Sequence, residues 1–552
     1  MRALKREREL PVGHDEPRTP THSLPSYKEP TPETNRRLTR EDEAEIALKR
    51  TVFTQGTPQA LITLFLITIL SVPLIQFARG PSPLRALPRL DQLWHGEDLK
   101  SAEKTLEAES VVSQWLLPRA QSILIGKLRA ANEQVFLGRD GWLFYRPDVE
   151  YVTGAPFLAP AQLQRRTHAA RIQPDPVKAI VQFRDQLAAR GIDLVVLPIP
   201  TKATIQGEKL SARVLPNESL QNASFTEFQN KLTAASVRLF DPTTALMQRK
   251  SAPVYLDTDT HWRPVTMQFV AQNLAASFNL PPSPNNASLQ VSEKEVEAVG
   301  DISRMLKLPN ETSQKVTIQQ VTNGNSLWRP SRDADVLLLG DSFSNTFSLE
   351  ALGWGESAGF AEHLSVAFGG RPLDCILRNS DGAFATREML ANELARGRDR
   401  LAGKKLVIWE FAARELAFGN WKLIELKLGT PVPSRFFSPG RGEEVEVSGM
   451  VEAVSSVPRP GSVPYADHIM SVKLADVQLP NHKGEAVQAI VYLQSMHDNI
   501  WTPAARLRVG DHVKIRLRAW SDFAAQYEQI NRSELDDPEL QLEEPAWGEL
   551  VR

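Results

Sequence analysis

The chain has 552 residues, a formal net charge of −2 and 42% hydrophobic residues. That length accommodates two or more domains with cores of their own, and the near-neutral charge gives no global electrostatic footprint for nucleic acid. The single cysteine, Cys375, excludes an intramolecular disulfide and a cysteine-rich zinc site.

The amino-terminal segment, residues 1–57, is polar and rich in charge and proline. A segment of this composition cannot bury enough apolar surface to offset the entropy lost on ordering. We therefore predict that residues 1–57 form a disordered tail.

A run without charged residues follows, from Thr51 to Ala78. Its apolar centre, residues 60–78, has the length needed to cross a bilayer, and we predict a membrane anchor over 58–79. A buried core helix is disfavoured because the run has no amphipathic period. A cleaved signal peptide is disfavoured because a long polar segment precedes the run.

Basic residues are distributed unequally around this anchor. Five Lys or Arg residues at positions 36–50 precede it, and three follow it, at positions 79, 85 and 89. The positive-inside rule then favours a cytoplasmic amino terminus. The predicted location is the inner (cytoplasmic) membrane, crossed once, with everything after Arg79 on the periplasmic, extracytoplasmic side.

Residues 80–130 predict a stalk that leads into a helix over 101–132, and residues 131–430 have the alternation of an α/β domain. A turn-rich, aromatic segment at 136–145 opens this domain. Apolar runs predict strands at 192–198, 237–240, 336–339, 373–377 and 406–411. Helices are predicted at 176–190, 263–278 and 383–401. Apolar strands separated by helices indicate a doubly wound, mainly parallel sheet.

Proline and glycine concentrate at 431–442, which predicts a linker, and residues 443–552 predict a second domain. Strand patterns recur there at 444–451, 469–474, 489–493 and 513–517. A short chain of such strands indicates a small β-barrel whose order resembles an OB-fold. Barrels of this kind often bind saccharides or nucleic acid, and a barrel that only packs or assembles is an open alternative.

The first candidate for chemistry is Ser342, in the segment Val336–Ser344. An apolar run ends at Gly340 and Asp341, so Ser342 stands at the turn after a buried strand. A serine at that position lies at the carboxyl edge of the sheet, where open α/β folds bind ligands. It is a weak nucleophile until a base takes its proton.

The candidate base is His261, with Asp259 two positions before it. In an extended segment these side chains project to the same face. The carboxylate can then accept the Nδ1 proton and leave Nε2 facing the serine. Asp257 shares the alternation. A divalent-metal site built from Asp257, Asp259 and His261 is one alternative, and a solvated acidic loop that caps the helix at Arg263 is another.

On an α/β chain, Asp259-Thr-His-Trp262 and Gly340-Asp-Ser-Phe-Ser344 together resemble the SGNH hydrolase-like exopolysaccharide and alginate O-acetyltransferases of the AlgJ/AlgX type. The resemblance covers about residues 130–425 and leaves out the amino-terminal tail and the terminal barrel. The predicted anchor is similar to the AlgJ arrangement. Further matching segments lie at 138–145, 195–202 and 407–411, with Arg414 after the last.

The resemblance implies an O-acyltransferase in which Ser342 accepts an acetyl group. His261 would act as base and then as acid, and Asp259 would orient it. The backbone N–H of Ser342 is one expected oxyanion donor. Asn345 and Gly369 are candidates for the second.

Four side chains are candidates for contact with the polymer. Lys202 and Arg414 follow strand ends, where they could contact an anionic sugar, and ordinary solvated charges are the alternative. Trp142 and Trp262 could stack on sugar rings, with core packing as the favoured alternative. No nucleotide loop, haem motif or metal cluster is evident in the sequence, so no cofactor is implied.

The family implies a polysaccharide acceptor and a membrane-bound acyltransferase that supplies acetyl groups from the cytoplasm, and no nucleic acid. An acetyl esterase of the same fold is a second hypothesis. A non-catalytic polysaccharide-binding or assembly protein is a third, and the presence of Ser342, His261 and Asp259 argues against it.

Overall fold

A computed structural model of the chain describes residues 56–80, 103, 106, 110–281, 283, 285–379, 381–430, 436–461, 463, 465–479, 487–535, 537, 540 and 543–551. The predicted tail, apart from its last two residues, and most of the predicted stalk lie outside the described residues. The chain divides into two compact units between Pro73 and Leu74. The first described helix, Gly56–Arg79, spans this boundary, and the strands and the other helices belong to the second unit.

Seventeen strands are described, and they are numbered in chain order: β1 Val135–Leu137, β2 Leu143–Tyr145, β3 Asp193–Ile199, β4 Arg238–Leu239, β5 Leu289–Val299, β6 Ser313–Asn323, β7 Ser326–Leu327, β8 Val336–Gly340, β9 Asp374–Leu377, β10 Leu406–Ala412, β11 Glu444–Val454, β12 His468–Gln478, β13 Val487–His497, β14 Ile500–Trp501, β15 His512–Ala519, β16 Arg532–Ser533 and β17 Ala546–Leu550.

The described α-helices are α1 Gly56–Arg79, α2 Val111–Leu128, α3 Arg146–Thr153, α4 Pro160–Ala170, α5 Pro176–Ala188, α6 Lys202–Ile205, α7 Gly207–Leu210, α8 Phe225–Ala234, α9 Thr243–Gln248, α10 Pro264–Ala276, α11 Asp301–Met305, α12 Ser342–Asn345, α13 Phe360–Ala367, α14 Ala385–Ala395, α15 Glu415–Phe418 and α16 Trp520–Tyr527.

Helix α1 is long and apolar enough to cross a membrane. Its segment Thr57–Arg79 has a mean hydropathy of 2.3 and is almost entirely exposed. Arg79 closes the last turn, and Pro73 lies inside the helix. A helix of 24 residues extends about 36 Å, and the apolar layer of a bilayer is about 30 Å thick.

The central sheet has five parallel strands in the order β4-β3-β10-β8-β9. Every residue of β8 is buried because the sheet is covered on both faces. Leu338 packs into one apolar core and Leu337 and Leu339 into the other, as the alternation of a strand requires. The predicted doubly wound, mainly parallel α/β fold is confirmed.

A three-stranded antiparallel sheet, β5-β6-β7, was not predicted from the sequence. Strand β5 is almost entirely exposed and reads Leu-Gln-Val-Ser-Glu-Lys-Glu-Val, so its composition gives a weak strand signal. Backbone pairing with β6 along eleven residues holds it in place. The helix predicted over 101–132 is described as α2 over Val111–Leu128.

The carboxyl-terminal part is a closed barrel of five strands, as the sequence indicated. The ring runs β11-β12-β13-β17-β15 and returns to β11, with only the β13–β17 pair parallel. Inward side chains such as Val472, Val491 and Ile515 fill its core. Strand β17 was not predicted, although it closes the ring, and the assignment to the OB-fold stays a prediction.

The barrel docks on the carboxyl edge of the central sheet. Arg378, just after β9, donates from Nη2 to the carbonyl oxygen of Arg532 at 2.5 Å. Asn531 donates to the carbonyl oxygen of Asn379. Leu349, shortly after α12, packs against two apolar clusters of the barrel. Barrel residues therefore lie beside the turn that carries Ser342.

Candidate active site

Ser342 is the first residue of α12, directly after β8. The side chain of Asp341 fixes the turn, because its carboxylate accepts the N–H of Phe343 and the N–H of Ala412, both at 2.8 Å. Gly340 is required by close packing. A Cβ there would lie 2.7 Å from the hydroxyl oxygen of Ser344, too close for any other residue.

Glu410 on β10 lies directly beneath this turn. Its Oε2 accepts the N–H of Asp341 at 3.0 Å and the hydroxyl of Ser344 at 2.6 Å. Burial and the charge of Asp341 raise the pKa of Glu410 well above its ordinary value. Its two hydrogen bonds make this carboxyl group a fixed support for the serine turn. A single glutamate in an apolar strand gave no sequence signal for this role.

His261 lies in a tight reversal after the short helix α9. The N–H of Leu256 donates to the carbonyl oxygen of His261 at 3.0 Å, and the N–H of Arg263 donates to that of Val254 at 2.9 Å. Nε2 of His261 lies 2.8 Å from Oγ of Ser342. Both side chains are buried, each residue being 6% exposed.

Asp259 holds the opposite side of the imidazole. Its Oδ1 lies 2.7 Å from Nδ1 of His261 and also accepts the backbone N–H of His261 at 2.9 Å. Its Oδ2 accepts the N–H of Asp301 and the indole N–H of Trp354, both at 2.9 Å. The structure thus brings Asp259, His261 and Ser342 into one chain of hydrogen bonds.

Two members of this site carry no sequence signal. Asp301 accepts the N–H of Thr260 at 2.7 Å and holds the loop between Asp259 and His261. Trp354 donates to Asp259 from a segment 95 residues away. Neither residue lies near the recognised motifs, and only the folded chain brings them to the carboxylate.

The ionisation of the site follows from its hydrogen bonds. Burial opposes the charge on Asp259, but the imidazole and the N–H donors outweigh burial and hold the pKa of Asp259 below its ordinary value. Burial disfavours the imidazolium of His261, yet the charge and hydrogen bond of Asp259 prevail and raise the pKa of His261. Burial and the neighbouring Asp259 raise the pKa of Asp301 to about 6.

The raised pKa of His261 sets the pH dependence of any proton abstraction from Ser342. The base must be neutral, so we expect kcat/KM to rise with pH through a value above the ordinary histidine pKa of about 6.5. Below that value the rate should fall about tenfold per pH unit. A pH–rate profile with a stable acetyl ester measures it, and a rate that is flat from pH 5 to 8 would contradict the assignment of the base.

The predicted metal alternative does not fit this geometry. Asp257 is not part of the cluster, because it pairs with Arg263 at 2.9 Å. Asp301 takes its place in a group with Asp259 and His261 whose ligand atoms lie within 4.8 Å. However, Nδ1 of His261 and Oδ1 of Asp259 are 2.7 Å apart, which is a hydrogen-bond distance. Two atoms that bind the same ion at about 2.1 Å each are farther apart than this.

The structure buries three of the four candidates for polymer contact, which corrects the candidate role of Lys202 and agrees with the favoured core packing of Trp142 and Trp262. Lys202 is fully buried, and its Nζ donates to the carbonyl oxygens of Leu143 and Asp257 at 2.8 and 3.3 Å. Trp262 is fully buried, and its indole N–H donates to the carbonyl oxygen of Phe343 at 3.1 Å. Trp142 is also in the core. Lys202 and Trp262 have no accessible surface and cannot contact a sugar, and Trp142 packs in the same core.

The two candidates for a second oxyanion donor already donate hydrogen bonds to other groups. Asn345 is buried and donates from Nδ2 to Oδ1 of Asn379 at 3.2 Å. The N–H of Gly369 donates to the carbonyl oxygen of Val366 at 2.9 Å, at the end of α13. Asn379, which sequence analysis did not consider, has a buried Nδ2 with no acceptor among the described residues.

Arg414 is the remaining predicted polymer contact. It forms an ion pair with Asp148, from Nη1 to Oδ1 at 3.0 Å, and its guanidinium lies over the rings of Tyr145 and Phe343. Asp148 is fully buried. The pair joins α3 to the segment after β10. Its guanidinium lies next to Phe343, the residue that follows Ser342. Contact of Arg414 with a substrate stays a prediction.

The ion pair predicts a large effect on stability. Asp148→Asn leaves the guanidinium of Arg414 without its counter-charge in a desolvated site, and we expect the free energy of unfolding to fall by about 3 kcal/mol or more. Denaturant unfolding measures the change. Glu227→Gln is the control, because its pair with Lys231 is solvent-exposed and contributes about 0.5 kcal/mol at most. Equal effects of the two substitutions would contradict the prediction.

Comparisons with known proteins agree on one part of the chain. The family model described as "SGNH hydrolase-like domain, acetyltransferase AlgX" matches residues 135–413. The protein named "Probable alginate O-acetylase AlgJ" from Pseudomonas aeruginosa is 28% identical over 310 residues, which are 52% of this chain and 71% of that protein. The protein of the same name from Azotobacter vinelandii is 27% identical over 301 residues, 51% of this chain and 69% of that protein.

Two solved structures are similar to the chain. The O-acetyltransferase domain of Pseudomonas putida AlgJ has 23% sequence identity and a TM-score of 0.40, over 52% of this chain and 93% of that one. Pseudomonas aeruginosa AlgX has 17% identity and a TM-score of 0.38, over 70% and 90%. The range matched by the family model ends before the linker and the barrel.

Proposed function

The chain belongs to the family of SGNH hydrolase-like acetyltransferase domains of the AlgX type, and we propose that it transfers acetyl groups to hydroxyl groups of an alginate-like exopolysaccharide through an acyl-enzyme on Ser342. The observation that carries the proposal is the hydrogen-bonded series from Asp259 through His261 to Ser342, with distances of 2.7 and 2.8 Å. Such a series activates a serine for acyl transfer.

In the first half-reaction, Oγ of Ser342 attacks the carbonyl carbon of the acetyl donor while Nε2 of His261 takes the hydroxyl proton. The tetrahedral intermediate collapses, the bond to the leaving group breaks, and Nε2 returns the proton to that group. Asp259 keeps the Nδ1 proton in place and stabilises the imidazolium. The product is acetyl-Ser342.

In the second half-reaction, a sugar hydroxyl gives its proton to Nε2 of His261 and attacks the acetyl carbon. The ester bond to Oγ breaks, and Ser342 recovers the proton. Water can replace the sugar hydroxyl with the same groups, which would give an esterase. The choice between transfer and hydrolysis therefore depends on how the acceptor is bound.

The oxyanion formed in both steps needs preorganised donors. The backbone N–H of Ser342 is at the start of α12 and has no acceptor among the described residues, so it is available to the intermediate. Our candidate for the second donor is Nδ2 of Asn379, which has no acceptor among the described residues. Oδ1 of Asn379 accepts a hydrogen bond from Asn345, the last residue of α12.

Helix α1 is compatible with a single-pass membrane anchor. We infer that α1 anchors the chain in the inner membrane with its amino terminus in the cytoplasm and its α/β domain in the periplasm. Acetyl-CoA is cytoplasmic, so the acetyl group must be supplied across the membrane. A multispanning acyltransferase is the partner that this arrangement requires.

An assay with an acetyl ester donor and a panel of acceptor oligosaccharides tests the proposed function. We expect acetylated oligosaccharide to form and its yield to rise with acceptor concentration. Hydrolysis of the donor without transfer, at saturating acceptor, would establish the esterase instead. Absence of both reactions would leave only a binding or assembly role.

A further inference from the structure

A cavity of ≈480 Å³ lies between helix α14 of the α/β domain and the barrel segment 528–534. This volume is within the range of sites that enclose small ligands. Arg378 lines the cavity, and its backbone N–H donates to the carbonyl oxygen of Gly340 at 2.9 Å. Gly340 is two positions before Ser342, so the cavity begins at the sheet edge that carries the serine.

The cavity wall has hydrogen-bond donors that the protein does not use. Nε of Arg378, Nε of Arg396 and Nη1 of Arg532 are buried, and none has an acceptor among the described residues. Buried polar groups in folded proteins are nearly always paired. The three arginines line one cavity, and each has a buried N–H without an acceptor among the described residues, which indicates a ligand rich in oxygen.

Arg396 differs from the neighbouring arginines because no described carboxylate lies within ion-pair distance of its guanidinium. Arg378 pairs with Asp381 at 2.5 Å and Arg532 with Glu534 at 2.8 Å. Arg396 forms no ion pair with any residue in the described ranges. A guanidinium is planar and binds a carboxylate through two parallel hydrogen bonds, so Arg396 is suited to a carboxylate on the ligand.

The rest of the wall suits a sugar. Asp381 and Glu393 also line the cavity. Oδ2 of Asp381 pairs with Nη2 of Arg378 at 2.5 Å and Oε2 of Glu393 lies 3.5 Å from Nη1 of Arg332, and each carboxylate has further lone pairs that can accept from hydroxyl groups. The side chains of Phe384, Met389 and Tyr492 provide apolar surface for a ring face. The lining has four arginines and five carboxylates, so its net charge does not concentrate anions, and an anionic ligand would be held by directed hydrogen bonds from the guanidinium groups.

We propose that this cavity is an acceptor subsite for a uronic-acid residue of the polysaccharide, with Arg396 binding its carboxylate and with the α/β domain and the barrel each forming one wall. The inference rests on the proposed function and gives the barrel a role in it. The polymer would run from this subsite along the sheet edge toward Ser342.

Binding to the full-length chain in detergent, with Ser342→Ala to prevent turnover, tests the proposal by calorimetry. The probes are a hexamer of mannuronate and a neutral mannohexaose of equal length. We expect the uronate to bind at least about tenfold more tightly than the neutral sugar, and Arg396→Gln to weaken uronate binding about tenfold or more. Arg396→Lys, which keeps the charge but not the planar fork, should lie between the two.

Arg190→Gln is the matched control, because Arg190 pairs with Asp399 at 2.5 Å and neither residue lines the cavity. It should change uronate affinity by less than about twofold. Equal binding of the two probes, or unchanged uronate affinity in Arg396→Gln, would overturn the subsite.

Acetylation of Ser342 in the unaltered chain is measured separately, so that the two proposals can fail independently. If Ser342 is acetylated but Arg396→Gln binds uronate like its parent, the subsite is wrong and the proposed function stands. If Ser342 is not acetylated but Arg396→Gln lowers uronate affinity, the cavity is a saccharide site and the proposed function is wrong.

Discussion

Ser342→Ala should abolish acetyl transfer while leaving the fold intact. Among the described hydrogen bonds, the Ser342 hydroxyl is the only partner of Nε2 of His261, at 2.8 Å. No acyl-enzyme can form without this hydroxyl. Removal of the nucleophile from a serine triad lowers kcat on the order of 10⁶-fold, so we expect turnover at or near the background rate. The measurement is the initial rate of acetyl transfer with purified full-length protein.

Ser344→Ala is the matched control for this change. Ser344 lies in the same short helix, but its hydroxyl donates to Glu410 and does not contact His261. We expect it to retain far more activity than Ser342→Ala, because the nucleophile and its base remain, although the turn loses one hydrogen bond to Glu410. Ser342→Ala should unfold at the same denaturant concentration as the unaltered chain. If it unfolds earlier, its low rate of acetyl transfer reflects a loss of folded protein and not the loss of the nucleophile. A Ser342→Ala enzyme that is folded and active would contradict the role of the serine.

Asp259→Asn should lower kcat about 10⁴-fold with little effect on substrate binding. Asp259 accepts the Nδ1 proton of His261 at 2.7 Å and so leaves Nε2 free to act as a base. An asparagine can present an N–H to Nδ1 instead, which places the ring proton on Nε2 and prevents it from accepting the proton of Ser342. The steady-state kcat and KM, measured separately, distinguish this effect from weakened binding.

Asp257→Asn provides the comparison, because Asp257 lies two positions earlier and pairs with the exposed side of Arg263. We expect its kcat to stay within about twofold of the unaltered chain. A loss of equal size in Asp257→Asn and Asp259→Asn would show that the loop, rather than the tautomer of His261, controls the rate.

The parts of this protein that depend on local sequence were predictable. The apolar run of β8 ends in glycine and aspartate, and that local chemistry predicts a turn with a serine at the sheet edge. Alternation within 257–261 predicts that Asp259 and His261 share a face. The family resemblance then joined two segments that local patterns alone would not connect.

The parts that depend on long-range contacts were not predictable. Asp301 and Trp354 reach Asp259 from distant segments and carry no motif of their own. Glu410 has its pKa raised by burial next to Asp341, and its strand reads only as core. Lys202 follows a strand end, where a solvated cation is expected, but the packing of α6 encloses it.

The docking of the barrel is the largest feature that sequence alone did not reveal. Strand patterns predicted a separate domain joined by a linker, and in the structure Asn531 and Arg532 bind the loop after β9. This contact creates the cavity that contains Arg396. The acceptor subsite that we propose is therefore built by residues that no single motif contains.

Covalent trapping of the acetyl group tests the central claim most directly. The full-length protein is mixed with an acetyl ester donor in the absence of acceptor, quenched in acid and analysed by peptide mass spectrometry. We predict one acetylated peptide, modified at Ser342, that disappears when an acceptor oligosaccharide is added and does not form in His261→Ala. Acetylation at another residue, or product formation with an unmodified Ser342 at every time point, would contradict the acyl-enzyme.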